Sequence, residues 1–210
     1  MNGRTVHAAD RWVDPKLDRI CLDGKPVRKP ASLYLVMNKP AGLVTTRSDE
    51  RGRPTIYDLL PDNHPWVFPI GRLDKESSGL LLLTNNTKFG DHVQDPNSKV
   101  PKSYRVVVDL PLTNEAVAQM ESGMELEDGV PCQPVEIRFP DADRTRFEMT
   151  LHEGKNRQIR RMCAMLGYRV LELVRFRIGS VALGSMERGS VRQLTAAEIS
   201  SFRSPTHHMW

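Results

Sequence analysis

Four leucines in a row, Leu80–Leu83, lie between Gly79 and Thr84. An apolar run of that length, with turn-forming residues close on either side, reads as a buried β-strand over Gly79–Thr84. Similar runs predict strands at Arg19–Leu22, Leu33–Asn38, Trp66–Ile70, Ser103–Val108, Val130–Phe139, Arg146–His152 and Tyr168–Ile178. Helical spacing or composition predicts short helices at Thr55–Leu60, Lys88–Val93, Thr113–Glu121, Asn156–Leu166 and Thr195–Phe202. Lys39-Pro40-Ala41-Gly42 reads as a turn and Arg47–Pro54 as a charged loop. Strands outnumber helices and do not alternate with them strictly. An α+β fold with a mixed or antiparallel sheet is expected, rather than a doubly wound parallel one.

The first 27 residues look like the end of a separate unit: a turn at Asn2-Gly3-Arg4, a break at Val13-Asp14-Pro15, and a short strand closed by Asp23-Gly24. Lys25–Pro30 (KPVRKP) is a basic, proline-bounded connection, with the linker proper at 28–32 and the regular pattern from 33 to 203. The tail Ser204–Trp210 is expected to fray. No internal repeat or low-complexity tract interrupts this order.

With 210 residues, 39% hydrophobic and 27% charged, the chain can bury one large core or two small ones. No apolar run approaches the length of a membrane span, and the N-terminus has no signal-peptide centre. A soluble protein kept inside the cell is expected. Cys21, Cys132 and Cys163 are odd in number and far apart, which excludes a disulfide framework and argues against structural zinc.

A net charge of +4 and a pI near 9.1 are by themselves weak pointers to a polyanionic partner. The distribution says more. Lys155, Arg157, Arg160, Arg161, Arg169, Arg175 and Arg177 face Glu172 alone within that window. Such a one-sided cluster fits nucleic-acid or phosphate binding, although a solvated face would look similar.

Three segments could carry chemistry. If Ile70–Asp74 is extended, Arg72 and Asp74 share one face while Leu73 turns to the core. Composition alone favours a helix-capping role for Asp74. Gly154–Gly167 predicts a helix capped by Asn156, with Ile159, Met162, Cys163 and Leu166 on one stripe and Arg157, Arg160 and Arg161 opposite. At the head of a β-rich strand, Lys102 and Tyr104 fall on one face, and the ring could stack on a base or move a proton. No phosphate-binding glycine loop accompanies them, so nucleotide-cofactor readings are weak.

Taken in order, Lys39-Pro40-Ala41-Gly42, GRLDKESSGLLLLTNN from Gly71, KSYRV from Lys102, EGKNRQIRRM from Glu153 and LVRFRIG from Leu173 closely resemble one family. These are the pseudouridine synthases, specifically the RsuA-like branch that acts on ribosomal RNA, and the likeness runs from about Leu33 to Thr195. Asn86-Thr87 departs from the Asp-Gly common in that branch. Residues 1–27 are similar to the last third of the RNA-binding module named after ribosomal protein S-four, without its helical, arginine-rich opening.

The resemblance implies the pseudouridine synthase fold: a mixed, largely antiparallel sheet flanked by helices, with a catalytic cleft across it. It implies that Asp74 is the catalytic carboxylate, acting on a uridine flipped out of its RNA. Arg160 is implied as its salt-bridge partner, because burial alone disfavours a charged carboxylate. Arg72 is implied to splay the target base and hold phosphate, and Tyr104 to pack on the flipped base. Lys39, Lys102, Lys155, Arg157, Arg161, Arg175 and Arg177 are the candidates for RNA backbone contacts. An isomerisation consumes nothing, so no cofactor is implied. The expected partner is ribosomal RNA, with no membrane, and the expected state is a cytoplasmic monomer. Two other readings remain: an RNA-binding or assembly protein that no longer turns over, and a hydrolase such as a glycosidase using Asp74 as nucleophile, for which Glu76, in the same turn, is poorly placed as the second carboxylate. An intact set of Asp74, Arg72, Tyr104 and Arg160 argues against the first.

Overall fold

The computed structural model describes residues 1–8, 10–14, 17–27 and 30–202. It divides into two compact units, Met1–Ser32 and a second beginning at Leu33. The expected tail at 204–210, and Arg28 and Lys29 of the expected linker, lie outside the described residues.

In the first unit, β1 (Cys21–Leu22) pairs antiparallel with β2 (Lys25–Pro26). Asp23 and Gly24 join them with φ of 49° and 76°, the twist a two-residue hairpin requires. Lys25 and Pro26, expected to begin a connection, are therefore strand residues.

The second unit is built on a nine-stranded sheet. Its strands are β3 (Tyr34–Lys39), β4 (Phe68–Ile70), β5 (Ser78–Thr84), β6 (Lys102–Val108), β7 (Glu136–Arg138), β8 (Arg146–Leu151), β9 (Val170–Ile178), β10 (Val181–Ala182) and β11 (Val191–Gln193). The main order is β11-β3-β5-β9-β6-β8-β7, with β4 added to β5 and β10 to β9. Only β5 and β9 run parallel among the described pairings. Among the described residues four α-helices accompany the sheet, α1 (Thr87–Gln94), α2 (Asn114–Glu121), α3 (Gln158–Met165) and α4 (Ala196–Ser201), with 3-10 turns at Ile56–Leu59 and Pro96–Ser98. The α+β expectation is met.

The leucine run explains the layering. All seven residues of β5 are buried, Leu81 and Leu83 in one apolar cluster and Leu80 and Leu82 in the other. Alternate side chains of one central strand thus fill the cores on both faces of the sheet. Gly79 allows β9 to approach, since a Cβ there would collide with the main chain of Arg175. Helix starts follow local chemistry: Asn86, Thr113 and Thr195 each accept a main-chain N–H of the helix that follows.

The strands expected at Arg19–Leu22 and Tyr168–Ile178 begin two residues later, at Cys21 and Val170, and three further boundaries in the second unit differ from the sequence reading. The strand expected over Val130–Phe139 is only Glu136–Arg138, because Pro131 and Pro134 lack the N–H a ladder needs. The Trp66–Ile70 strand begins at Phe68, leaving Trp66 exposed. The helix expected from Asn156 starts at Gln158 and has no side-chain cap; Arg157 holds the capping position in a left-handed conformation.

Candidate active site

The loop Gly71–Ser77 joins β4 to β5, and neighbouring segments fix it from several sides. The Thr45 hydroxyl donates to the Leu73 carbonyl at 2.8 Å and accepts the Leu73 N–H at 3.3 Å. The Gly42 N–H donates to the Lys75 carbonyl at 2.7 Å, and Ser77 N–H to the Asp74 carbonyl at 3.1 Å. Leu73 is buried, as its alternation with Arg72 and Asp74 predicts. Asp74 caps no helix: strand β5 follows the turn, and the Asp74 carboxylate stays at the surface of a cleft.

Lys39 lies beneath this loop with no accessible surface. Its ammonium donates to the carbonyls of Ser77 at 2.8 Å, Asp74 at 3.1 Å and Pro40 at 3.1 Å. Expected as a phosphate contact, it is instead an interior strut of the loop. Burial pushes its pKa down from 10.5 to about 8, against the pull of the Asp74 and Glu76 carboxylates. Between those two values the unfolded chain keeps a proton the folded chain has released, so this group makes stability rise with pH across that window. Urea unfolding should show the parent gaining stability relative to Lys39→Met as pH rises through this range; no relative gain, or a relative loss, would contradict the assignment.

Two guanidiniums converge on Asp74 from the β8–α3 connection and helix α3. Arg157 Nη1 is 3.4 Å and Arg160 Nε 3.8 Å from Asp74 Oδ2. Arg160 is braced further, with Nη1 donating to the Val170 carbonyl and Nη2 to Ser77 Oγ, each at 3.3 Å. Burial lowers its pKa, neighbouring Arg157 adds to that, and Asp74 and Glu76 oppose it. A guanidinium remains charged under such a shift. Arg157 also pairs with Glu76 at 3.2 Å, which occupies the second carboxylate a hydrolase reading would need.

Tyr104, on β6, forms another part of the cleft wall and is 9% exposed. Leu151, Ile159 and Leu173 complete an apolar lining, and Arg72 stands exposed at the rim. The cleft holds about 80 Å³. Ordinary ligand pockets hold roughly 300–1,000 Å³. The arrangement offers one carboxylate between cations, an aromatic face and a mostly dry wall.

The structure thus brings Asp74, Arg72 and Tyr104 to one cleft, with Arg160 set against the Asp74 carboxylate. Of the basic residues expected on RNA, Lys155 and Arg157 line the same cleft, and the others do not. Arg175 is an interior residue, correcting its reading as a backbone contact, and its Nε donates to the Leu80 carbonyl at 2.8 Å. Lys102 is half-buried, its ammonium donating to the Val100 carbonyl at 3.2 Å. Arg161 is held by Glu127 at 2.7 Å and Asp128 at 2.6 Å, and Lys155 by Glu153 at 3.0 Å. Arg177 is exposed on β9. The contact of Arg157 with Asp74 was not expected; its only sequence signal is membership of the same basic segment.

Comparison with solved structures defines the class. The chain superposes with a TM-score of 0.78 on a structure described as a pseudouridylate synthase, at 29% identity, covering 96% of this chain and 87% of the other. The model of the RNA pseudouridylate synthase family matches residues 33–165. The chain belongs to that family and is an RNA pseudouridine synthase. It is 36% identical to an uncharacterized RNA pseudouridine synthase of Aquifex aeolicus, covering 95% of this chain and 81% of that one. It is 31% identical to the ribosomal large subunit pseudouridine synthase B of Bacillus subtilis, covering 91% and 80%. The family resemblance read from the motifs is borne out. Among the described residues, no helix is long and apolar enough to cross a membrane.

Proposed function

We propose that this enzyme converts a uridine of ribosomal RNA to pseudouridine with Asp74 as its catalytic carboxylate. The carrying observation is Asp74 Oδ2 within 4 Å of both Arg157 and Arg160 in the cleft that Tyr104 lines. In the reaction the C1′–N1 bond breaks, the base turns, C5 bonds to C1′, and C5 gives up a proton while N1 gains one. Asp74 starts this as a carboxylate, paired with Arg160. Tyr104 packs on the extruded base, and Arg72 at the rim holds the gap or a neighbouring phosphate. Flipping costs a few kcal/mol, which stacking and phosphate contacts offset.

Arg72, Arg157 and Arg177, all exposed, are the residues we assign to backbone phosphates, making binding salt-sensitive and largely blind to sequence. Residues 1–27 are assigned as the last third of an S-four-type module. The enzyme acts as a cytoplasmic monomer and takes no nucleotide cofactor. The similarity to ribosomal large subunit synthase B supports the ribosomal substrate. The test is reverse-transcription mapping of carbodiimide-modified ribosomal RNA from cells with and without the gene. One lost stop is expected and names the uridine; identical patterns of stops would sink the ribosomal assignment.

A further inference from the structure

The connection between β8 and α3 contains an acid that the chemistry above does not use. Glu153 is 8% exposed. Its Oε1 accepts the Gln133 main-chain N–H at 2.9 Å and Gln158 Nε2 at 2.6 Å, while Oε2 pairs with Lys155 Nζ at 3.0 Å. Gln158, also buried, accepts the Lys155 N–H on its Oε1 at 3.2 Å and donates its own N–H to the Lys155 carbonyl at 3.3 Å. Glu153, Lys155 and Gln158 thus form a closed ring of bonds. Arg157 lies within the segment the ring spans, and Arg160 two residues beyond it.

Arg157 adopts φ 49°, ψ 30°, a conformation that a residue with a Cβ holds only where its surroundings over-determine it. The ring supplies that constraint. It also anchors the connection to the segment Met124–Gln133, whose Gln133 N–H ends on Glu153. The same segment grips α3 a second time, through Glu127 and Asp128 on Arg161. A carboxylate taken out of water is retained only with partners of this kind.

We propose that Glu153 is a positioning residue for the reaction. Through Gln158 it sets where Arg157 and Arg160 stand relative to Asp74, and it touches no substrate itself. This rests on the assignment of Asp74 as the catalytic carboxylate.

Glu153→Ala, Glu153→Gln, Gln158→Ala and the Glu153→Ala/Gln158→Ala double variant test it. The readouts are thermal unfolding, RNA affinity, single-turnover tritium release from C5-labelled ribosomal RNA, and crystal structures. Glu153→Ala should fold and bind RNA within about fivefold of the parent, because of the assigned phosphate contacts only Arg157 is displaced while Arg72 and Arg177 remain. Its single-turnover rate should fall on the order of 10- to 100-fold, the cost of misplacing a reacting constellation by about 1 Å. Glu153→Gln keeps an oxygen that can accept both N–H donors but turns an amide nitrogen toward Lys155 Nζ, so it should recover part of the loss and fall between the parent and Glu153→Ala. Gln158→Ala should match Glu153→Ala, and the double variant should lose no more than the larger single loss.

In the alanine variants Arg160 Nε should leave its position 3.8 Å from Asp74 Oδ2, and in Glu153→Gln it should not. Parent-like turnover in Glu153→Ala, no rescue by Glu153→Gln, additive losses, or an unmoved Arg160 would each overturn the proposal. Should Glu153→Ala not fold, Gln158→Ala cuts the same ring from its other side and carries the test. A parent inactive on ribosomal RNA would sink the substrate and Asp74 assignments, while the crystal structures still decide what Glu153 holds.

Discussion

Asp74→Asn should bind ribosomal RNA as the parent does and form no pseudouridine. Asparagine keeps the shape of the side chain and one acceptor oxygen but loses the negative charge. It can neither attack the sugar nor take a proton from it. Removing a reacting carboxylate should lower turnover by at least about four orders of magnitude. The affinity should survive because Asp74 is an anion and contributes nothing favourable to phosphate contact. The fold should survive because Lys39, Thr45 and Gly42 hold the loop through its main chain, independently of the carboxylate. The variant does leave Arg160 without its ionised partner, so some loss of thermal stability is expected. Tritium release from C5-labelled uridine in ribosomal RNA measures the outcome. A residual rate above about one percent of the parent would remove Asp74 from the chemistry.

The strands and the cleft were legible for different reasons. Leu80–Leu83 could be read as a buried strand because a continuous apolar run has one economical solution in a sheet. The alternation in Arg72-Leu73-Asp74 correctly sent Leu73 inward even though that segment is a loop rather than a strand. The chemistry was legible only through the wording of several motifs together, since each alone fitted a bland role. Asp74 illustrates this: composition favoured a helix cap, and no helix follows it.

What stayed hidden depends on contacts between distant parts of the chain. A count of acids between Lys155 and Arg177 finds only Glu172, but the fold brings Glu127 and Asp128 to Arg161 and buries Arg175 beside β5. A basic window therefore became a mixture of struts, paired charges and exposed cations. Lys39 follows a strand and precedes a proline, which reads as surface. Nothing local shows that carbonyls of Asp74 and Ser77 will converge on its ammonium from more than thirty residues away. Asn156 has the chemistry of a helix cap, yet the ring through Glu153 and Gln158 sets the helix start two residues later. Local preference gave way to a buried polar network.

Arg160→Ala should be the second most damaging change in the cleft. Of the two arginines on Asp74, Arg160 is the more enclosed, its side chain 13% exposed against 44% for Arg157. A charge pair shielded from water acts through a lower effective dielectric, so Arg160 pairs with Asp74 more strongly than Arg157 does. Loss of one such preorganised partner should slow turnover about 10²- to 10³-fold. RNA affinity should change little, because the guanidinium points at Asp74, Ser77 and Val170 rather than outward. Arg160→Lys separates charge from geometry. An ammonium can approach Asp74, but it lacks the fork that reaches Ser77 Oγ and the Val170 carbonyl together. It should recover part of the lost rate and leave the thermal stability below that of the parent. Single-turnover tritium release with enzyme in excess reads the chemical step free of product release. If Arg160→Ala kept the parent rate while folded and RNA-bound, the cation that matters to Asp74 would be Arg157.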